Sequence, residues 1–294
     1  MKSSITSNLR PLLRAFQAFL IAIAGLWPMP RNAHAQLYVI RDSKTGIVSE
    51  YDAKTGEVIN ANFITGLSRP VALAVNGNTL FVTNFRSGTI GKYDATTGGA
   101  ISPGFIMGPR GPFGLAVNGN TLFVTNFGSG TIGKYDATTG GAINASFITG
   151  LFGFFELAVN GNTLFVTNEN GGTVGKYDAN TGGAINPGFI TGLSGPEGLA
   201  LSGNSLLVTN LNGGAVGSGT VGNYDANTGT AIKPNFITGL SEPFFLTLLG
   251  NKLFVANFGS ATVGEYDAKT GVAINASFIT GLNNPVGLAV KIAK

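Results

Sequence analysis

Apolar residues in this chain fall in short runs that are separated by turns rich in glycine and asparagine. Thr121–Asn126 is one such run, and its β-branched and aromatic residues favour a strand. The intervals between successive runs are too short for the helix that a parallel crossover requires. The pattern therefore predicts an all-β chain of antiparallel strands.

The unit 110–151 contains four predicted strands. Asn118-Gly119 lies between the first two and favours a tight hairpin, because both residues tolerate positive φ. Asp136 begins another turn, where its carboxylate can accept hydrogen bonds from nearby backbone N–H groups. In chain order, the predicted strands are Leu115–Val117, Thr121–Asn126, Thr131–Asp136 and Ala142–Ile148.

This unit repeats along most of the chain. The motif Tyr-Asp-Ala marks it at intervals of 42, 42, 42, 47 and 42 residues. The longer interval contains five extra residues within the glycine-rich stretch Gly213–Gly222. A repeated four-stranded unit of about 40–45 residues is typical of β-propellers. The motifs begin at Tyr51, Tyr93, Tyr135, Tyr177, Tyr224 and Tyr266.

The two ends of the chain predict how the ring closes. Leu37-Tyr38-Val39 matches the second strand of the unit, and Leu288-Ala289-Val290 matches the first. A C-terminal strand can therefore complete a blade with three N-terminal strands, which removes exposed sheet edges. We expect a closed six-bladed β-propeller, because an open solenoid would leave these complementary ends unexplained. Its expected repeats are 36–67, 68–109, 110–151, 152–193, 194–240 and 241–282, with a closing strand in 283–294.

Residues 1–35 have the pattern of a secretory signal peptide. An uncharged apolar run, Ala15–Trp27, precedes Ala33-His34-Ala35, which fits a small-x-small cleavage site. The expected location is therefore secreted, periplasmic or at the cell surface. The alternative is an uncleaved membrane anchor, which Pro28 and Pro30 disfavour by interrupting a spanning helix. The basic residues that open the segment are Lys2, Arg10 and Arg14.

Loss of this leader changes the charge and the available chemistry. Four of the 18 Lys and Arg residues lie in it and none of the 14 Asp and Glu residues does, so the mature chain would carry no net charge. No basic surface for nucleic acid then remains. The chain has no cysteine, and its one histidine, His34, would leave with the leader. Nucleophilic catalysis that uses either residue is thereby excluded, and the sequence disfavours an enzyme.

The repeat resembles a known class of propeller repeats. Leu-Phe-Val-Thr-Asn recurs at 80–84, 122–126 and 164–168, followed by Ser-Gly-Thr or a variant of it and by Tyr-Asp. This pattern is similar to the YVTN and NHL repeat families. The resemblance implies that the Leu-Ala-Val strand lines a central channel. It also implies that the loops between blades share one face, here the top face, with the loops joining strands two and three.

Residues that recur in every unit have a structural interpretation and a functional one. The six Tyr-Asp carboxylates, from Asp52 to Asp267, could form a ring, but we expect them to stabilise turns. The asparagines that end strand two could present a polar rim to a ligand, or each could cap its own loop, which we favour. These asparagines are Asn84, Asn126, Asn168, Asn210 and Asn257.

Charges that depart from the repeat are the main candidates for a binding site. The basic ones belong to blades one to three and the acidic ones to blades four to six. We hypothesise a top face with a positive and a negative half, which would orient a dipolar or zwitterionic partner. The alternative is drift among solvated loop positions. The candidate residues are Arg41, Arg69, Arg86, Arg110, Glu156, Glu169, Glu197 and Glu242.

Phenylalanines add an apolar candidate on the same face. Phe152 and Phe154 replace the usual polar entry of blade four and are the best candidates for exposure. Together with other loop phenylalanines they could form an aromatic patch, although packing between blades is the commoner fate of this residue. The others are Phe85, Phe127, Phe244, Phe245 and Phe258.

The expected function is therefore a binding or interaction module with a site on the top face. Its partner would be a protein or a small polar ligand, with no nucleic acid, no cofactor and no membrane span after leader cleavage. One alternative is a metal-dependent hydrolase like the six-bladed gluconolactonase-type propellers. In that case Glu156, Glu197, Asn168 and Asn210 would imitate an oxygen-ligand Ca²⁺ site at the channel mouth. A third possibility is a structural component of the cell surface.

Overall fold

The computed structural model describes residues 34–153, 156–212 and 216–293. Within them the chain forms six four-stranded antiparallel sheets, one for each blade. The predicted leader lies outside these residues except for His34 and Ala35. Over the part of the chain that the structure describes, no helix is both long and apolar enough to cross a bilayer.

The first three blades contain the N-terminal half of the chain and its last strand. Blade one has the strands β1 (Gln36–Asp42), β2 (Ile47–Asp52) and β3 (Val58–Ile64), and β24 (Leu288–Lys291). Blade two has the strands β4 (Pro70–Asn76), β5 (Thr79–Asn84), β6 (Thr89–Asp94) and β7 (Ala100–Met107). Blade three has the strands β8 (Pro112–Asn118), β9 (Thr121–Asn126), β10 (Thr131–Asp136) and β11 (Ala142–Ile148), with a 3₁₀ turn at Phe127–Ser129.

The remaining blades follow in order. Blade four has the strands β12 (Leu157–Asn160), β13 (Thr163–Asn168), β14 (Thr173–Asp178) and β15 (Ala184–Ile190). Blade five has the strands β16 (Pro196–Ser202), β17 (Ser205–Asn210), β18 (Gly219–Asp225) and β19 (Ala231–Leu240). Blade six has the strands β20 (Pro243–Leu249), β21 (Lys252–Asn257), β22 (Thr262–Asp267) and β23 (Ala273–Ile279).

The innermost strands of the six blades form a closed ring. β24 contacts β4, and contacts then follow from β4 to β8, β12, β16, β20 and back to β24. Blade one is completed by antiparallel pairing of β24 with β1, in the register Leu37 to Val290 and Val39 to Leu288. The predicted six-bladed propeller and its closure by the C-terminal strand are both confirmed.

Hydrophobic contacts between neighbouring blades make up the core. Between blades three and four, for example, Phe123 and Ile132 pack with Leu164, Val166 and Tyr177. The strand-two residues belong alternately to the interfaces on the two sides of their blade, because successive side chains of a strand point to opposite faces. Each blade is therefore apolar on both faces, which explains why its second strand is a continuous apolar run.

The Tyr-Asp carboxylates stabilise turns, as their structural interpretation predicts. The Asp94 Oδ1 atom accepts hydrogen bonds from the backbone N–H groups of Thr96 and Thr97, each at 2.8 Å. Partial burial acts to raise the pKa of Asp94, but these hydrogen bonds outweigh it, so the pKa is lowered overall. The same arrangement recurs in Asp136 and Asp178.

A lysine on strand three ties each of blades two to four to the next blade. The Lys134 ammonium donates a hydrogen bond to the backbone oxygen of Ala179 at 3.0 Å and lies 4.8 Å from the ring centre of Phe147. Lys92 and Lys176 make equivalent contacts with their neighbours. These lysines were not singled out in the sequence, because their partner turns lie about 45 residues away.

Deletion of residues 286–294 tests the closure. This deletion removes β24 and exposes Leu37 and Val39 of β1, so we expect the free energy of unfolding to fall by roughly 5 kcal/mol or more. Urea unfolding followed by circular dichroism measures the change. A control that lacks only residues 292–294 keeps β24 and should change by about 0.5 kcal/mol or less. A fully stable, monomeric product of the longer deletion would contradict the closed ring.

Candidate functional site

The loops that enter the blades and the loops between strands two and three meet on the top face. In blade two they are joined by backbone hydrogen bonds from Phe85 N–H to Arg69 O and from Arg86 N–H to Ser68 O, both 3.1 Å long. The inner ends of these loops surround a cavity of about 1050 Å³ at the mouth of the central channel. A volume of this size suits a small ligand or a peptide segment.

The cavity brings together five of the charged residues predicted from the sequence. Arg69, Arg86 and Arg110 line it from the loops of blades two and three. Glu169 and Glu197 line it from blades four and five. Because β4 and β16 are separated by two blades in each direction round the ring, Arg69 and Glu197 come from opposite sides. The opening thus has arginines on one side and carboxyl groups on the other.

The other predicted site residues lie elsewhere. Phe152 is 76% exposed but lines a separate crevice with Asn168 and Tyr177. Arg41 and Glu242 are partly exposed and do not line the cavity. Glu156 points into the channel below it. Phe154 is outside the described residues.

An aromatic wall runs round the cavity and across the channel. Neighbouring rings in this wall have centroids 5.4 to 6.5 Å apart, within the range of favourable aromatic contacts. Phe113 of blade three and Phe245 of blade six meet edge to face at 5.8 Å, which narrows the channel beneath the cavity. In order, the wall consists of Phe127, Phe85, Phe113, Phe245, Phe244 and Phe258.

Five of these six rings were named as loop or entry candidates that could pack in the core, and the structure shows both roles among them. Phe244 and Phe258 pack against the core between blades one and two, yet they also line the cavity. Phe245 is buried, whereas Phe127 keeps 38% of its surface exposed. The sequence did not indicate Phe113 as a cavity residue, because an apolar core residue is expected at its repeat position, as in Val71 and Val286.

Arg69 has an unusual backbone conformation for its residue type. Its φ is 54°, whereas Gly111 and Gly195 hold the same repeat position with φ of 64° and 61°. The fold imposes this conformation, because Glu242 and Asn284 hold the same repeat position with φ of 47° and 58°. The Arg69 guanidinium lies over the Phe85 ring at 5.0 Å, which places a fixed positive charge at the edge of the cavity.

Glu197 is the most deeply buried charged residue of the cavity. It lies on β16, is only 2% exposed, and its Oε2 atom has no hydrogen-bond partner. Burial, together with the negative charges of Glu169 and Glu156, raises the pKa of Glu197 well above its usual value. The shift favours the protonated, uncharged form of this carboxyl group.

Glu156 lies deeper in the channel than Glu197, where it lines a second cavity of about 200 Å³. Its Oε2 atom is also buried without a partner, although the residue as a whole is partly exposed. Burial raises the pKa of Glu156 to about 8, and hydrogen bonds from the backbone N–H groups of Leu157 and Leu115 act in the opposite direction. This group therefore holds a proton at neutral pH.

Comparison of the repeats shows that neither acid is needed for the fold. At the position of Glu197 the other blades have Val71, Phe113, Phe155, Phe244 and Val286. At the position of Glu156 they have Ala72, Gly114, Gly198, Phe245 and Gly287. The backbone is held in the same way in each of blades two to five, because the N–H group of Ala72, Gly114, Glu156 or Gly198 donates to a threonine hydroxyl of strand two.

The strand-two asparagines behave in two ways. Asn84 and Asn168 cap loops, since their Oδ1 atoms accept hydrogen bonds from the backbone N–H groups of Ser68 and Gly171. The buried Oδ1 atoms of Asn126, Asn210 and Asn257 have no such partner. The favoured capping role therefore holds for only some of these residues.

The hydrolase alternative would require metal-ligand geometry at the channel mouth. Across residues 34–153, 156–212 and 216–293, no group of three or more His, Cys, Asp or Glu side chains is placed to hold a metal ion. Glu156 and Glu197 line different cavities, and their Oε2 atoms are each buried singly.

Comparison with known proteins supports the fold. The chain is similar to a chain in the crystal structure of a nidogen/laminin complex, with a TM-score of 0.71 and 16% identity over 88% of this chain and 99% of that one. It is also similar to the computationally designed Ika8 protein, with a TM-score of 0.51 and 19% identity over 81% and 71% of the two chains. No family model and no curated protein matches the sequence, so membership of the YVTN or NHL families stays a prediction. These likenesses establish a six-bladed β-propeller.

The two buried glutamates should make stability depend on pH. A carboxyl whose pKa is raised on folding binds a proton that the unfolded chain has released, so stability falls as pH rises from about 5 to about 8. We expect a fall on the order of 1 kcal/mol per pH unit. Urea unfolding of the double variant Glu156→Gln, Glu197→Gln should give a much flatter profile. The exposed Glu57→Gln control should keep the slope, and an equally steep profile in the double variant would refute this assignment.

Proposed function

We propose that this propeller is a binding module whose top-face cavity receives a polar segment of a polypeptide. The observation that carries the proposal is the arrangement of one cavity of about 1050 Å³, with three arginines on one side and the carboxyl groups of Glu169 and Glu197 on the other. Arginines that face carboxyl groups orient a dipolar ligand, because its anionic end favours the arginines and its cationic end favours the carboxyl groups.

The aromatic wall supports the same role. Phe85, Phe127 and Phe258 are each at least partly exposed at the cavity surface, where they can contact an apolar side chain of the bound segment. Exposed aromatic rings beside arginines are typical of the residues that contribute most to protein interfaces. The structural neighbour in the nidogen/laminin complex is a propeller from a protein assembly, which agrees with an interaction role at the level of the fold.

A triple charge reversal tests the proposal. Wild type is dialysed to equilibrium against a mixed library of tripeptides with free amino and carboxyl ends, and retained peptides are identified by mass spectrometry. We expect a selected subset to be retained. The variant Arg69→Glu, Arg86→Glu, Arg110→Glu should retain it at least about tenfold less well, because several charge-assisted contacts are lost.

The matched control reverses three lysines outside the cavity. The variant Lys54→Glu, Lys233→Glu, Lys269→Glu makes the same change in net charge at exposed positions. It should retain the same peptides as wild type. Equal retention by all three proteins, or no retention by wild type, would contradict a binding role for the cavity.

A further inference from the structure

Glu197 is a buried acid at a position where the repeat provides an apolar residue. It lines the top cavity, is 2% exposed, and leaves its Oε2 atom without a hydrogen-bond partner. Valine occupies the equivalent position in two other blades, as Val71 and Val286. An unpaired buried carboxyl destabilises a fold, so its presence at a cavity wall indicates a partner supplied from outside.

The surroundings of Glu197 favour an organic cation. Glu169 lines the same side of the cavity and adds negative potential. The Phe244 ring lines the same cavity, and an aromatic face at a cavity wall can contribute to the binding of an ammonium group.

A metal ion fits this neighbourhood less well. Calcium requires about six to eight oxygen ligands, and the described part of the chain offers no cluster of three acidic, histidine or cysteine ligands here. An ammonium group needs only one charged acceptor and tolerates apolar walls on its other sides.

We propose that Glu197, with Glu169 on the same wall, is a subsite for an organic ammonium group of the ligand. The inference rests on the proposed function and names the chemistry that the acidic side of the cavity recognises. When the ammonium group enters, the Glu197 carboxyl releases its proton to solvent and the resulting carboxylate accepts a hydrogen bond from the ligand. The ammonium could come from a lysine side chain or from a peptide amino terminus.

Three matched dipeptides test the subsite and distinguish the two sources. N-acetyl-Phe-Lys-amide carries a side-chain ammonium, Phe-norleucine-amide carries a terminal one, and N-acetyl-Phe-norleucine-amide carries none. Isothermal titration calorimetry at pH 7 in two buffers of different ionisation enthalpy measures affinity and proton release together. We expect at least one charged peptide to bind roughly tenfold or more tightly than the neutral one, with release of a proton.

Substitution of Glu197 assigns the effect to this carboxyl. Glu197→Gln keeps the shape but cannot ionise, and Glu197→Val restores the residue of Val71, so at least one variant should fold. Both should bind the charged peptide roughly tenfold or more weakly and release no proton. The exposed Glu57→Gln control should bind it as wild type does.

The pH dependence gives a second signature. The charged groups around Glu197 are Glu169 and Glu156, while Lys44, Arg69, Arg86 and Arg110 line the same cavity. Of these, Glu156 has a pKa raised to about 8 and therefore also titrates between pH 6 and 8. Affinity for the lysine peptide, whose ammonium stays charged over this range, should rise with pH by up to about tenfold per pH unit, and Glu197→Gln should remove most of this rise.

Several outcomes would overturn the subsite. They are equal binding of charged and neutral peptides, binding without proton release, unchanged affinity in both Glu197 variants, or binding of Ca²⁺ that excludes the peptides. If tripeptides still depend on the arginines while Glu197 variants bind them normally, the ammonium subsite is wrong and the proposed function stands. If no peptide of either set binds wild type, both proposals fail.

Discussion

The pairing of β24 with β1 is the interaction on which the rest of the structure depends. It joins the two ends of the chain through four register pairs, from Gln36 with Lys291 to Val39 with Leu288. A ring of blades has a defined circumference only when it closes, and that circumference fixes which blades face each other. Closure therefore brings Phe113 and Phe245 into contact across the channel and places Arg69 opposite Glu197.

Backbone hydrogen bonds to threonines hold the inner strands in place, whereas the side chains of these strands line the channel. In blades two to five a threonine of strand two, such as Thr83 or Thr167, accepts a hydrogen bond from the N–H group at the channel mouth. Threonines also bond across to the next blade, as Thr167 does to Glu197 O at 2.9 Å. Since these bonds involve only the backbone of the inner strand, its side chains can change without loss of the fold.

This separation explains how nearly identical repeats can build an asymmetric site. The fold requires the inner residue to be small or to pack well, but it does not specify a charge. Glu156 and Glu197 are tolerated there because burial raises the pKa of both and favours their uncharged forms, which avoids the much larger cost of an unpaired buried charge. The two carboxyl groups matter chemically because they line the cavities of the channel.

The sequence by itself determined the strands, the blade count and the closure, because hairpin signals such as Asn118-Gly119 and the complementary ends at Leu37 and Leu288 are local patterns. It also indicated the charged residues of the top face. Only the tertiary structure decided which of these charges share a cavity, that Glu197 is buried while Glu242 is not among the lining residues, and that Lys134 bridges to blade four. Such outcomes depend on which side chains meet across the ring, and residues far apart in the chain meet only when the ring has closed.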